Sequence, residues 1–387
     1  MIWWFGTESD QQTGSPQHRG RTMTMSGRAR STTEQPLSPG RLGDPDRVLR
    51  TDPRADPRMV AALAEFRFDE APRPAPVTAE SPLAEIHEFI AASEPGYEDL
   101  FAAWLADLPP IENVTRRTEV IEGVDGNDIT LYVHEPEGAS GPLPCVYNIH
   151  GGAMVLLGAT GALATRWRDE LCGVGMVVVG VEFRNGGGKL GNHPFPAGLN
   201  DCMSGLQWTF NNKAALRIST IVVSGESGGG NLTLAVTQKA KRDGRLDQID
   251  GAYAMCPYIY GAWANKTKEL PSLYENDDYF LNCSTMGALA VAYDPGHEND
   301  RNPLCWPYFA EAPDLQGLPP HVISVNELDP LRDEGLKYYE TLMAAGVSVY
   351  SRTVNGTCHA GEMIFRRVIP EVSAATIRDI KGFSDSL

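Results

Sequence analysis

The stretch IVVSGESGGGNLTLA, residues 221–235, sets one serine among four glycines between two apolar runs. "TIVVSG" (220–225) reads as a buried strand and "GGNLTLAVTQKAK" as a helix. Between them lies Gly225-Glu226-Ser227-Gly228-Gly229, a tight turn with the pattern G-x-S-x-G. So sharp a reversal forces the serine into a strained backbone conformation. Side chains at the flanking positions would collide with the neighbouring strand or helix, so glycine is needed there. The hydroxyl is then held at the carboxyl edge of a sheet, above a helix N-terminus. Backbone N–H groups and the helix dipole favour developing negative charge at that point. Ser227 is therefore a candidate nucleophile, and the competing reading is a plain glycine-rich turn.

The rest of the chain repeats the strand-then-helix rhythm. Ile129, Leu131 and Val133 alternate with Thr130, Tyr132 and His134, a half-buried strand. "CVYNI" (145–149), "MVVVGVEF" (176–183) and "HVISVN" (321–326) are short apolar runs separated by helix-length segments. This pattern predicts an α/β fold with a parallel sheet covered by helices on both faces. Upstream, Ser81 can cap a helix with Pro82 at its first position, and Leu83, Ile86 and Ile90 follow at helical spacing. "EPG" (94–96) is expected to break that helix before a second stripe of Leu100, Phe101, Trp104 and Leu105. Such a pair serves either as core or as a cover over a substrate site. Residues 1–55, rich in Gly, Pro, Ser, Thr, Arg and Gln without apolar periodicity, read as a disordered leader.

Composition narrows the partners. Among 387 residues, 50 acidic side chains face 33 basic ones, a net charge of −17, which repels phosphate backbones and argues against nucleic acid. The seven cysteines include no CxxC pair and are odd in number, so neither a disulfide framework nor a zinc site is expected. That usage fits a reducing, cytoplasmic setting. No apolar run reaches the ~18 residues of a membrane span, and "MIWWFGTESD" has no basic region typical of a signal peptide.

A nucleophilic serine needs a base and an orienting acid, and behind such a turn they follow in the order serine, acid, histidine. Asp329, in "NELDPLRDEG", lies at the exit of the strand 321–326, on the same sheet edge as Ser227. Glu327 and Asp333 are its rivals; the first is placed at the strand end and the second in the first turn of a helix. His359, in "TVNGTCHAGE", is the candidate base, because the other histidines precede the acid or lie in the leader. "YNIHGGAMVLLG" supplies a loop after the strand 145–149, where the backbone N–H groups of Gly151, Gly152 and Ala153 can approach a reacting carbonyl. Gly228, next to the serine, completes an oxyanion hole, and His150 is expected to fix the loop by hydrogen bonds.

Taken together, "HGGA", "GESGGGNL", "DPLRDEG" and "CHAG", with "HPFPAGLNDCMSGLQW" at 193–208, resemble the hormone-sensitive-lipase-like carboxylesterases of the α/β-hydrolase fold. The resemblance spans about residues 110–387. It implies an eight-stranded, mostly parallel sheet flanked by helices and carrying a helical cap. The catalytic domain would comprise residues 113–261 and 316–387, and the cap residues 56–112 plus an insertion at 262–315. It further implies hydrolysis of short- to medium-chain carboxylic esters through an acyl-enzyme on Ser227, with Asp329 and His359 completing the triad, no cofactor and no metal. It allows a homodimer. An amidase or peptidase with the same triad is the alternative, and a non-catalytic small-molecule receptor is disfavoured by the presence of His359. Three positions depart from the family's pattern. Ala153 replaces a third glycine, Glu226 a frequent aspartate, and Gly228 a frequent alanine, the last predicting a looser oxyanion hole. The insertion's aromatics, Tyr274, Tyr279 and Phe280, are expected to form its own core.

Overall fold

Parallel strands carry all their carboxyl ends to one edge of a sheet, and that edge organises this molecule. The computed structural model describes residues 40–70 and 74–387. Eight strands, β1 (Val114–Glu122), β2 (Asp128–Pro136), β3 (Leu143–Ile149), β4 (Val177–Val181), β5 (Ile218–Glu226), β6 (Gly251–Met255), β7 (His321–Asn326) and β8 (Val349–Val354), form one sheet in the order β1-β2-β4-β3-β5-β6-β7-β8. β1 and β2 are antiparallel, β2 runs antiparallel to β4, and β3 to β8 are parallel throughout. β6, "GAYAM", is the strand that apolar runs do not announce, because glycine and alanine carry little strand signal.

The helices are α1 (Pro57–Ala64), α2 (Leu83–Trp104), α3 (Ala162–Gly173), α4 (Ala197–Asn211), α5 (Gly228–Arg242), the short α6 (Ser272–Glu275), α7 (Cys283–Tyr293), the short α8 (Ala312–Leu315), α9 (Arg332–Ala344), the short α10 (Gly361–Ile364) and α11 (Pro370–Asp385). Alternation along the strands feeds two cores. Cys145, Tyr147 and Ile149 of β3 pack with Leu206 of α4 and Leu232 of α5, whereas Val146 packs on the other face with Leu171 of α3 and Ile380 of α11.

Two expectations change. First, α2 runs unbroken for 22 residues through Pro95. Proline removes one N–H from the helix ladder, but tertiary contacts fasten both halves. Ile86 and Ile90 enter one core and Leu100 and Trp104 the other, while Glu94 accepts backbone N–H groups from two distant loops. Nor does Ser81 cap the helix: its hydroxyl accepts the Thr78 N–H, and Pro82 stands at the cap position.

Second, the leader reading of residues 1–55 fails over 40–55; residues 1–39 lie outside the described residues. Leu49 is only 1% exposed, in the same core as Met59 and Trp104. Buried Asp52 accepts hydrogen bonds from Arg54 and from the Tyr279 hydroxyl, and Arg41 donates to the Asp277 carbonyl. A segment poor in apolar residues can still order when a few of them reach a core formed elsewhere. Replacing Leu49 by alanine should therefore lower unfolding free energy by about 2–5 kcal/mol, as for other buried leucines, read by denaturant titration. An unchanged midpoint would show the segment to be detached.

Candidate active site

The turn after β5 is as crowded as its glycines suggest. Ser227 sits at φ 57°, ψ −117°, outside the regions open to most residues. A Cβ on Gly225 would lie 2.4 Å from the Ile149 carbonyl oxygen, and one on Gly229 would lie 2.0 Å from that same atom. The serine backbone is pinned on both sides. Its N–H donates to the Met255 carbonyl (2.9 Å), and its carbonyl accepts from Asn231 (3.0 Å) and Tyr258 (3.1 Å).

Asp329 follows β7 and is fully buried; its Oδ2 accepts from His359 Nδ1 at 2.7 Å and its Oδ1 accepts the Leu331 N–H at 3.0 Å. Because the carboxylate only accepts, Nδ1 carries the proton and Nε2 is left to act as a base. The His359 loop after β8 is held by Asn326, which donates to Thr357 Oγ1 and accepts the Ala360 N–H. The rival carboxylates have other partners. Glu327 accepts the Gly356 N–H at 2.8 Å, and Asp333 accepts from Ser272 and Arg332.

The loop after β3 brings its N–H groups to the same place, with one correction. Gly151, expected to offer its N–H to an oxyanion, gives it to Glu226 Oε1 at 2.7 Å, while its carbonyl accepts from His150 Nδ1 at 2.7 Å. The His150 ring stacks on Phe183, and burial pulls its pKa down to about 4, so it stays neutral. Among the described residues nothing accepts the N–H of Gly152, Ala153 or Gly228. A Cβ on Gly228 would stand 2.5 Å from the Met154 nitrogen and 2.7 Å from that of Ala153. The loop thus lies closer to the serine turn than a side chain at 228 would permit.

Ser227, His359, Glu226 and Gly151 to Ala153 all line one cavity of about 880 Å³. Its walls include Phe89, Tyr97 and Phe101 of α2, Met286 of α7, and Phe280. Phe280 therefore faces the cavity, contrary to its expected place in the insertion's core. Trp104 stands behind this wall, against Phe101, Phe280 and Phe365, its Nε1 donating to the Ala62 carbonyl. Among the described residues, Cys256, Asp329 and His359 are the one group of donors near enough together for a metal. Their atoms are committed otherwise: the acid and imidazole bond each other, and burial raises the Cys256 thiol well above its usual pKa.

Residues 146–363 match the profile of the α/β-hydrolase fold family. The chain belongs to that family. It is 32% identical over 288 residues to the carboxylesterase NlhH of Mycobacterium tuberculosis, covering 73% of this chain and 85% of that protein. Its fold superposes on a brefeldin A esterase, described as a bacterial homologue of human hormone-sensitive lipase, with a TM-score of 0.87 and 46% identity, covering 89% of this chain and 97% of that one. Esterase Est22 matches at a TM-score of 0.78 and 36% identity, covering 88% of this chain and 99% of that one. The hormone-sensitive-lipase-like branch is therefore where this hydrolase sits.

Glu226 is the buried group that motif reasoning left without a task. Burial pushes its carboxyl up to about 7, opposed by the Gly151 N–H and by the charges of His359 and Arg168. Raised above its unfolded value, it is protonated in the folded chain but ionised in the unfolded chain between about pH 4.5 and 7. Its contribution to stability is present below that window and lost as pH rises through it. Glu226→Gln removes this term, so the variant should lose less melting temperature than the parent hydrolase between pH 5 and pH 8. Equal losses would show that Glu226 titrates like an exposed carboxyl.

Proposed function

We propose that this chain is a serine carboxylesterase that cleaves short- to medium-chain carboxylic esters through an acyl-enzyme on Ser227. The observation that carries the reading is the 2.7 Å hydrogen bond from His359 to a fully buried Asp329, with His359 and the strained Ser227 lining one cavity. His359 Nε2 takes the serine proton as Oγ adds to the ester carbonyl, and Asp329 keeps the Nδ1 tautomer and stabilises the imidazolium. The N–H groups of Gly152, Ala153 and Gly228 receive the oxyanion. The imidazolium protonates the departing alkoxide, and the alcohol leaves. Water then gives a proton to His359 and adds to the acyl carbon, and return of that proton to Ser227 releases the acid.

Residues 56–112 and 262–315 are assigned to a cap around the cavity, supported by the apolar walls they contribute. This cap shares its core with the sheet, through Ile86 and Ile90. The substrate is a small-molecule ester. Among the described residues no helix is long and apolar enough to cross a membrane. The proposed reducing, cytoplasmic setting is supported by the seven cysteines, all buried and unpaired.

Ser227→Ala should lower kcat for p-nitrophenyl butyrate by a factor on the order of 10⁴–10⁶ with its thermal transition intact. Asp329→Asn should cost about 10⁴, whereas Glu327→Gln and Asp333→Asn should stay within about tenfold. A larger loss in Asp333→Asn than in Asp329→Asn would reassign the acid.

A further inference from the structure

The loop carrying the oxyanion donors is conformationally expensive. Ala153, Met154 and Leu157 all adopt left-handed backbone angles, φ 53°, 61° and 69°, and Gly152 sits at φ 106°. Non-glycine residues held there cost about 1–3 kcal/mol each and persist only when their surroundings over-determine them. Within the loop, the Val155 and Leu156 N–H groups both donate to the Gly152 carbonyl. From outside the loop, the Gly186 N–H donates to the Met154 carbonyl at 2.8 Å and Asn185 Nδ2 to the Leu157 carbonyl at 2.7 Å, and the N–H groups at its two ends are taken by two buried glutamates. Glu226, from the nucleophile turn, accepts the Gly151 N–H at 2.7 Å. Glu94, from the middle of α2 and 2% exposed, accepts the Leu157 N–H through Oε1 and the Lys189 N–H through Oε2, each at 2.6 Å. A Cβ on Gly188 would lie 2.6 Å from that second oxygen, so the backbone there is shaped around the carboxylate. The Lys189 ammonium pairs with Glu98 one turn further along α2, securing the same contact.

We propose that Glu226 and Glu94 are positioning residues that stretch the oxyanion loop, residues 151–157, between the nucleophile turn and helix α2, so that the seating of α2 sets the oxyanion hole. The inference rests on the oxyanion role proposed for Gly152 and Ala153. It gives α2 a function that a wall of the acyl pocket does not have. A wall governs which acyl chains fit, whereas a clamp on the donors governs the chemical step for every ester, including the smallest.

The test compares p-nitrophenyl acetate with p-nitrophenyl octanoate. Glu94→Leu and Glu226→Leu should each lower kcat about 10²-fold on both esters, the cost of displacing an oxyanion donor, with KM within about threefold. Glu226→Gln should hold kcat within about threefold, because its amide oxygen still accepts the Gly151 N–H. A folded Glu94→Leu with the parent kcat on acetate and altered chain-length preference would overturn the clamp, leaving α2 a wall only. A Glu226→Gln as damaged as Glu226→Leu would overturn the acceptor role. Should Glu94→Leu not fold, Glu94→Gln, which offers one acceptor to two donors, should lose at least about fivefold in kcat, and an unchanged kcat would overturn the proposal. A readout independent of turnover separates this from failure of the serine mechanism. Hydrogen exchange at the amides of residues 152–157 should speed about tenfold or more in the leucine variants, and unchanged exchange would contradict the clamp whatever the esterase activity.

Discussion

The active edge of this hydrolase depends on how near the backbone after β3 comes to the turn after β5. With Cβ positions at Gly225 and Gly229 falling 2.4 and 2.0 Å from the Ile149 carbonyl oxygen, any side chain there would drive the two segments apart. Separation would undo two features together: the strained placement of Ser227 and the convergence of N–H groups from two loops on the same point. Ala153 and Gly228 fit this constraint as a pair. A methyl group on Gly228 would meet the backbone of Ala153 and Met154, so the loop backbone already fills the space that such a group would need. The interval between the Ala153 nitrogen and a Cβ on Gly228, 2.7 Å, measures how completely that space is used.

Burial has a second consequence. Ser227, Glu226 and Glu94 are buried, and in such places an unpartnered backbone N–H or a lone carboxylate is costly. The molecule answers with glutamate side-chain oxygens that accept from backbone amides. Glu226 holds Gly151, Glu94 holds Leu157 and Lys189, Glu327 holds Gly356, and Glu334 holds Ile259. Each ties a loop at the catalytic edge to a regular element or to a neighbouring loop. Together with the Gly186 N–H on the Met154 carbonyl and Asn185 on the Leu157 carbonyl, the first two of these bonds hold left-handed backbone at Ala153, Met154 and Leu157.

What could be read from the sequence was what spacing along the chain determines. Strand, glycines and helix around Ser227 are contiguous, the exit of β7 places Asp329 a few residues beyond a recognisable apolar run, and His359 is the histidine that follows the acid. What could not be read depends on partners far away in the chain. The Gly151–Glu226 bond spans 75 residues and the Leu157–Glu94 bond spans 63. Nothing local shows that Gly151 has already given away its N–H. Pro95 looks like a helix end because the contacts that carry α2 past it belong to the two cores and to Leu157 and Lys189. Leu49 looks like part of a leader because residues 40–55 show no apolar periodicity, although it reaches the core of Met59 and Trp104. β6 is hidden by its small residues.

The central claim, that Ser227 is made nucleophilic by His359 and Asp329 and forms the acyl-enzyme, is tested most directly by trapping. The chain would be treated with a p-nitrophenyl alkylphosphonate, and the adduct located by peptide mass spectrometry. One phosphonyl group per chain, on the peptide containing Ser227, formed far more slowly in His359→Ala, is the predicted result. Labelling at another residue, or labelling of Ser227 at the same rate without His359, would contradict the account.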